Sequence, residues 1–523
     1  MSSGALILHN ANSSSPVSSN SALSPTFCLE KRISVCHPPR RELSLWADAH
    51  HDVKPSPYGQ PLYPSHPHLL KKDEITPGIP AAEYERRRRE LIASLPANSV
   101  VLCLAGEIKY MSGQIFYKFR QRSDFWYLTG FEQPGAAVVL ESALSTPRGY
   151  RMTIFCAEND LETEKWEGAR MAHEDVVRVL GADDARPFHD LARSLRALAS
   201  GADYVYTDIP GAKRKSARAE GEGLLDVLKG KMRSKAQEGL LKMLDSSKTR
   251  SLAPEVARLR VIKSVHEQKV MRDAADISAE AHTRTMRFAQ PDMSEHVIAA
   301  HFEYLCARAG AQRPAYVPVV ASGANARIIH YTANNQVARD GELILIDAGC
   351  EYNGYASDIT RTFPVSGTFT DPQKALYAAV LSAQKHLVKL CNEAAGLSLA
   401  QLHSASCDVL RKELVNAGIP EAPLRISQLY PHYIGHHVGI DLHESNYTDR
   451  HEPLKTGMVV TVEPGVYVPP SPSYPSYFHD IGIRIEDEVL VGEKEPVVLS
   501  AHAPKELADV EGTCQGLLGI EPL

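Results

Sequence analysis

Five side chains in the C-terminal half of this 523-residue chain have the types and spacing to bind metal ions together. Four carboxylates and one imidazole make up the set: Asp347, Asp358, His436, Glu463 and Glu486. Four oxygen donors and one imidazole suit a pair of divalent cations such as Mn²⁺, with two carboxylates bridging them. Two ions held in this way lower the pKa of a shared water and supply a hydroxide nucleophile. The residue types therefore predict a two-metal hydrolytic centre.

The first two carboxylates lie in LILIDAGCEYNGYASDITRTFPV, where two apolar strands flank a polar turn. If the turn is centred on Tyr352 and Asn353, Asp347 and Asp358 pair directly, with Cβ atoms roughly 4.5–5.5 Å apart. A bulge at Gly354 would instead shift the register by one residue. Two carboxylates this close raise one pKa sharply unless a cation lies between them. The pattern predicts neighbouring carboxylates and leaves the register open.

The other three candidates lie in later segments of the same half. Glu463 ends the β-branched strand VVTVEPG, and the alternating strand IGIRIEDEVLV places Arg484, Glu486 and Glu488 on one face. A strand with a buried pattern that carries a glutamate needs a partner for the charge. The segment HYIGHHVGIDLH supplies four histidines: His432, His436, His437 and His443.

Composition and length limit the class of protein. A chain of 523 residues predicts two domains and a tail, and 43% hydrophobic with 23% charged residues is typical of globular domains. The net charge of −6 argues against a nucleic-acid partner. No apolar stretch approaches the roughly 18 residues of a membrane span. The nine cysteines include no Cys-x-x-Cys pair, which favours a reducing compartment.

The chain divides into three predicted parts. Residues 1–57 are rich in Ser, Pro and His, and we predict a disordered or targeting segment. Residues 58–254 alternate strands and helices, beginning with the amphipathic helix AAEYERRRRELIASL, and predict an α/β domain. Residues 255–523 begin with a long helix that ends before Pro291, and they hold the ligand-bearing strands.

Several motifs resemble those of aminopeptidase P, the Xaa-Pro aminopeptidases of peptidase family M24B. They are IDAGCEYNGYASDITRTFPV, SGANARIIHYT, HHVGIDLH, TVEPGVYV and GIRIED, with RQRSDFWYLTGFEQPGA near position 130. HPHLLKKDEITPGIPAAEYERRR is similar to the mitochondrial, intermediate-cleaving branch of that family. The resemblance implies an α/β N-terminal domain of the creatinase/aminopeptidase P type, followed by an α+β pita-bread catalytic domain.

The same resemblance implies what the protein does. We expect a metal-dependent aminopeptidase that releases one N-terminal residue, preferentially one followed by proline, by attack of a metal-bridging hydroxide. Its cofactors would be two divalent ions per chain, most simply Mn²⁺. Its partners would be peptide or protein N-termini, and the resemblance is compatible with a homo-oligomer. The expected location is mitochondrial, with the cytoplasm as the alternative.

The resemblance also implies roles for single residues. Asp347 and Asp358 would hold one metal, and Asp358, His436 and Glu463 the other, with Glu486 bridging; Glu463 would also handle a proton. His330, His432 and His443 would orient the substrate and stabilise or protonate the departing proline nitrogen, in an order that the sequence leaves open. Tyr467 and Arg484 match positions in the substrate pocket, although Arg484 could instead brace Glu486. We interpret His437 as structural.

Four alternatives compete with this interpretation. A prolidase uses the same ligands but blocks substrates longer than a dipeptide. A methionine aminopeptidase would not account for the first domain, and creatinase lacks the full ligand set. A non-enzymatic binding protein on the same fold would have lost ligands that this chain keeps.

Overall fold

The computed structural model describes residues 54–143, 145–210, 235–444 and 447–522. Most of the predicted N-terminal segment 1–57 lies outside these ranges, as do residues 211–234 of the predicted α/β domain. The domain boundary predicted between residues 254 and 255 falls within a helix, Ala253–Arg260, and it stays a prediction.

A six-stranded sheet with helices on both faces forms the N-terminal half. In spatial order its strands are Thr249–Ser251, Tyr204–Thr207, Ser99–Leu104, Ala137–Ser142, Tyr150–Cys156 and Asp184–Pro187. The helices are Ala81–Ser94, Ser123–Thr129, Leu161–Glu167, His173–Leu180, Leu191–Gly201, Lys235–Met243 and Ala253–Arg260. Parallel and antiparallel pairs both occur, and the α/β prediction is confirmed.

The central strand of this sheet shows why both of its faces are covered. Side chains of a strand alternate between faces. Val101 and Cys103 accordingly join one apolar cluster, while Val100 and Leu102 join a second one on the other side. A strand that is apolar at every position, as SVVLCL is, needs helices on both faces.

The first helix, Ala81–Ser94, buries Tyr84 and Leu91 as its amphipathic pattern predicts. Two of its four consecutive arginines are buried as well. Arg87 lies 3.1 Å from Glu267 and donates to the Tyr355 hydroxyl, and both partners belong to the C-terminal half. The helix therefore joins the two halves through a buried ion pair.

The C-terminal half is α+β, as predicted. Its helices are Val265–Phe288, Glu295–Arg308, Asp371–Lys389, Leu399–Asn416, Ala422–Leu429 and Leu507–Cys514. Its three-stranded sheets, in spatial order, are Val319–Ser322, Leu343–Asp347 and Thr360–Pro364; Arg313–Pro314, Cys350–Tyr352 and Tyr355–Ala356; and Val459–Val462, Asp487–Leu490 and Val497–Val498. A two-stranded sheet joins Gly465–Tyr467 to Gly482–Arg484.

Small elements complete the description. Two short hairpins pair Glu74–Thr76 with Ile79–Pro80 and Tyr110–Ser112 with Ile115–Phe116. Single 3₁₀ turns occur at Phe188–Asp190, Gly323–Arg327, Glu393–Ala395 and Ser476–Phe478. Among the described residues, none of the helices combines the length and the apolar character needed to cross a membrane.

The hairpin that carries the first two carboxylates has a different register from the one predicted. Asp347 pairs with Thr360, not with Asp358. The turn lies at Asn353 and Gly354, whose φ angles of 49° and 84° are those of a two-residue type I′ turn. The predicted direct pairing is wrong by two residues. Because side chains alternate with a period of two, this shift leaves Asp358 on the same face as Thr360, and so on the face of Asp347.

Candidate metal centre

A cavity of about 440 Å³ collects the predicted ligands in the C-terminal half. Its lining includes Asp347, Asp358, His436, Glu463 and Glu486, together with His330, His432, His437, His443 and Arg484. Tyr467, predicted to bind substrate, lies behind this lining and is buried. The structure therefore brings together residues that span 157 positions of sequence, from His330 to Glu486.

Asp347 and Asp358 converge on one hydroxyl group. The Tyr316 hydroxyl lies 2.5 Å from Oδ1 of Asp347 and 2.6 Å from Oδ1 of Asp358. A single hydroxyl proton cannot be donated fully to two carboxylates, so a positive charge would suit this point. No motif of the sequence indicated a role for Tyr316, which precedes the strand Val319–Ser322.

His436 meets the other carboxylates through Nε2. This atom lies 3.3 Å from Asp358 Oδ2 and 3.8 Å from Glu463 Oε1. One ligand atom each from Asp358, His436 and Glu486 lie within 4.8 Å of one another. Three donors at this separation can surround a common ion.

The tautomer of His436 supports a cation at the same place. Its Nδ1 lies 3.2 Å from the carbonyl oxygen of His437, so Nδ1 carries a proton and donates it. Nε2 then has a lone pair that faces carboxylate oxygens, an arrangement that needs a proton or a metal between them. In the metal-free protein burial lowers the pKa of His436, but Asp358 and Glu463 outweigh it and raise the pKa to about 9.

The carboxylates themselves are electrostatically crowded. Burial and the charges of Asp358, Glu463 and Asp347 raise the pKa of Glu486 well above its usual range. Burial, opposed by His436 and Arg484, raises the pKa of Glu463 to about 7. Burial also raises the pKa of Asp347, although Arg484 opposes it. Four acids lie close together here, with Asp358 and Glu486 buried and Asp347 and Glu463 half-buried. Such a group fits divalent metal ions, which would supply the missing positive charge.

Neighbouring side chains fix the ligands in place. Thr360 donates to Glu486 at 2.6 Å, and the Thr461 hydroxyl accepts from the backbone N–H of His436 at 3.1 Å. Glu488 accepts from the backbone N–H of Asp358. None of these three residues was predicted from the sequence to have a role. The two-residue period could have suggested Thr360 and Glu488, because each follows a ligand by two positions on a strand.

A chain of hydrogen bonds links His432 to Asp347. His432 Nδ1 donates to the Tyr433 carbonyl at 2.9 Å, and Nε2 accepts from the Tyr467 hydroxyl at 2.9 Å. The Tyr467 oxygen accepts from Arg484 at 2.7 Å, and Arg484 also donates to Asp347 at 2.6 Å. Burial and the charge of Arg484 lower the pKa of His432 to about 3, so the ring is neutral. Arg484 thus contacts Asp347 directly and reaches Glu486 through the Thr360 hydroxyl, which accepts from Arg484 Nε at 3.1 Å.

His443 and His437 have different surroundings. The His443 ring centroid lies 4.2 Å from that of His436, and burial together with His436 lowers the His443 pKa. His437 is buried and pairs through its backbone with Val460. Its carbonyl holds the His436 tautomer, which agrees with the structural interpretation.

We expect metal removal to destabilise the protein. Dications that bind the native state add RT ln(1 + [L]/Kd), about 2.7 kcal/mol at 100-fold excess over Kd, and chelation also leaves the carboxylates unscreened. Thermal unfolding followed by circular dichroism should show the transition about 5–10 °C lower after chelation. Adding back excess Mn²⁺ should restore it. An unchanged transition would mean that the acids do not share ions.

Comparisons with known proteins agree with this geometry. Residues 269–493 match the model of metallopeptidase family M24, and residues 84–206 match the aminopeptidase P N-terminal domain. The chain is 37% identical over 453 residues to intermediate cleaving peptidase 55, mitochondrial, of Arabidopsis thaliana, covering 87% of each chain. It is 36% identical over 503 residues to Xaa-Pro aminopeptidase 3 of Rattus norvegicus, covering 93% of this chain and 94% of the relative.

A solved structure is similar over most of the chain. Icp55 from Saccharomyces cerevisiae, lacking its N-terminal 58 residues, superposes with a TM-score of 0.74 at 34% identity. The match covers 85% of this chain and 99% of that one.

Proposed function

Because this chain belongs to metallopeptidase family M24 and carries the aminopeptidase P N-terminal domain, we propose that it releases single residues from peptides whose second residue is proline. It is a metal-dependent aminopeptidase, and its substrates are peptide N-termini. The convergence of four acids and His436 on one cavity is the observation that carries the proposal.

The finer features of the metal centre are part of the proposal. Asp347 and Asp358 would hold one ion, and Asp358, His436 and Glu463 the second, with Glu486 bridging and Mn²⁺ as the preferred metal. When bound, such ions lower the pKa of a water molecule and polarise the scissile carbonyl. The contact of Tyr316 with Asp347 and Asp358 supports an ion between these two acids, and the grouping of Asp358, His436 and Glu486 supports a second ion beside it.

The protein groups have separate tasks around this centre. Glu463, 3.7 Å from His432 and 3.8 Å from His436, is the carboxylate that we assign to proton transfer. His432 has both ring nitrogens engaged by Tyr433 and Tyr467, so we assign it to positioning. Tyr467 supports His432 and Arg484 from behind the cavity and needs no contact with the substrate for this task.

His443 and His330 line the cavity, and we assign them to the substrate. An imide nitrogen before cleavage has no N–H and must gain a proton as proline departs. We assign His443, next to His436, to stabilising that nitrogen. His330 would orient the peptide at the edge of the cavity.

A peptide panel tests the proposal. Purified protein with Mn²⁺ should remove one residue from an Xaa-Pro-Xaa tripeptide and cut an Xaa-Pro dipeptide slowly, as measured by liquid chromatography of the products. A matched tripeptide without proline measures how strict the requirement is. Cleavage of the dipeptide but not of the tripeptide would replace the aminopeptidase with a prolidase. No cleavage of either peptide would favour the non-enzymatic alternative.

We also propose a mitochondrial location, since the Arabidopsis relative is named as mitochondrial. Residues 1–57 would carry the targeting signal, and a homo-oligomer stays a prediction. A reporter fused to residues 1–57 should enter mitochondria under the microscope, while a chain that starts at Tyr58 should keep full peptidase activity in vitro. A reporter that stays in the cytoplasm would overturn the location and leave the activity untouched.

A further inference from the structure

Glu295 is a fully buried carboxylate whose hydrogen-bond partners in the described part of the chain include no cation. It is the first residue of the helix Glu295–Arg308. Its Oε1 accepts from the Ser322 N–H at 2.8 Å, the Ser322 hydroxyl at 2.7 Å and the Asn325 amide at 3.0 Å. Its Oε2 accepts from the Tyr331 hydroxyl at 2.8 Å and the Gln336 N–H at 2.9 Å. Five neutral donors thus replace a counter-ion.

These donors all come from one segment, residues 322–336. Ser322 and Asn325 precede His330 in the sequence, and Tyr331 and Gln336 follow it. The Glu295 N–H also donates to the Gln336 carbonyl at 2.9 Å. The segment is therefore closed into a loop around a single carboxylate. Ile329, His330 and Thr332 at its middle line the cavity of the metal centre.

The physical chemistry makes this loop depend on the charge of Glu295. A buried carboxylate is costly unless its lone pairs are satisfied, and hydrogen bonds to a charged acceptor are stronger than those to a neutral one. The helix N-terminus adds a favourable dipole. Burial alone would raise the pKa of Glu295, but the bonds from Ser322, Asn325 and Gln336 outweigh it and lower the pKa. The group is ionised at neutral pH, and all five donors have one common acceptor residue.

We propose that Glu295 is a positioning residue of the peptidase, which fixes His330 at the edge of the cavity by holding both sides of the segment 322–336. The inference rests on the proposed function and assigns a task to a residue that does not line the cavity. The metal ligands lie on other elements. Ser322 lies at the far end of its strand and pairs with Ile344, whereas Val319 is the residue that pairs with Asp347. We therefore expect the ligands to keep their places in a Glu295 variant, and its metal content checks this.

The decisive variant is Glu295→Gln, which keeps the shape of the side chain. Its carbonyl oxygen can still accept from one pair of residues, either Ser322 and Asn325 or Tyr331 and Gln336. Its NH₂ group then faces the donors of the other pair and cannot accept from them. We expect kcat/KM for an Xaa-Pro-Xaa tripeptide to fall about tenfold or more, with the metal content unchanged. His330→Ala should cause a loss of similar size.

A double-mutant cycle separates positioning from a general effect. If Glu295 acts through His330, adding Glu295→Gln to His330→Ala should cost less than about twofold. If the activity loss of the double variant equals the product of the two single losses, the proposal is overturned. A Glu295→Gln enzyme with wild-type kinetics would also overturn it. Glu303→Gln, on the exposed face of the same helix, is the matched control and should change nothing.

Hydrogen exchange tests, without an activity measurement, whether Glu295 holds the segment 322–336 in place. Mass spectrometry should show faster exchange in residues 322–336 of Glu295→Gln than in the wild type, and unchanged exchange there would refute the proposal. A wild-type protein that cleaves no peptide would instead refute the proposed function.

If Glu295→Gln does not fold, Tyr331→Phe and Ser322→Ala each remove one donor and leave no charge unpaired. Their smaller losses should also vanish in the His330→Ala background, and losses that persist there would contradict the proposal.

Discussion

Replacing Asp358 with asparagine should greatly reduce peptide hydrolysis and metal binding together. Asp358, like Glu486, belongs to both proposed ion sites, and it lies 2.6 Å from the Tyr316 hydroxyl and 3.3 Å from His436. Asparagine keeps the size of the side chain and removes its charge. Because a metal contributes several kcal/mol to the transition state, kcat/KM should fall by about 10³ or more.

Elemental analysis of the Asp358→Asn protein should find less than half of the wild-type metal. Asp340→Asn, at an exposed aspartate before the strand Leu343–Asp347, is the matched control and should keep metal and activity. An Asp358→Asn protein with full metal and full activity would contradict the ligand assignment.

Replacing His443 with glutamine should lower turnover far more than it weakens binding. If its contact strengthens only as the leaving nitrogen gains charge, the loss appears in kcat while KM changes little. Removal of such a group costs about 10²–10⁴ in rate. Steady-state kinetics on paired peptides, with and without proline at the second position, would measure it.

His437→Gln is the internal control for this experiment. His437 is the sequence neighbour of a metal ligand and lines the same cavity, but its contact with His436 is made by its backbone carbonyl. The His437→Gln enzyme should keep most of its turnover. A larger loss from His437→Gln than from His443→Gln would reverse the two assignments.

The elements that position the site could be predicted where the local pattern is strong. A run of apolar residues predicted the strand that ends at Asp347, and the helical period predicted the helix Ala81–Ser94. The single alternating strand predicted through Glu486 is wrong: Gly482–Arg484 and Asp487–Leu490 belong to different sheets, and Glu486 lies between them. The helical period did not predict that Arg87 is buried, because its ion-pair partner Glu267 is 180 positions away in the sequence. A tertiary ion pair overrides a local polar pattern.

The register of the ligand hairpin illustrates a second limit. The dipeptide Asn353-Gly354 favours a type I′ turn, since both residues tolerate positive φ. Centring the turn one residue earlier moved the partner of Asp347 by two positions. Asp347 and Asp358 still share a face, because the register was wrong by two residues and side chains alternate with a period of two. The chemistry of the site was therefore predicted correctly from a wrong register.

Residues that act through other residues were the hardest to find. Tyr316 and Glu295 belong to no chemical motif, and each acts on groups 27 to 42 positions away in the sequence. Only the folded structure shows that Tyr316 joins two ligands and that Glu295 closes a loop around His330. The periodicity of apolar residues predicts single helices and strands, and it does not predict contacts between side chains of different elements.

The central claim is that this chain removes one N-terminal residue by a metal-dependent reaction. Its most direct test is mass spectrometry of a longer peptide that begins with Xaa-Pro, incubated with the chelated protein and again after Mn²⁺ is restored. We expect no product from the chelated protein, and after Mn²⁺ is restored a single product that lacks only the first residue. Full cleavage after exhaustive chelation, or cleavage at internal bonds, would contradict the claim.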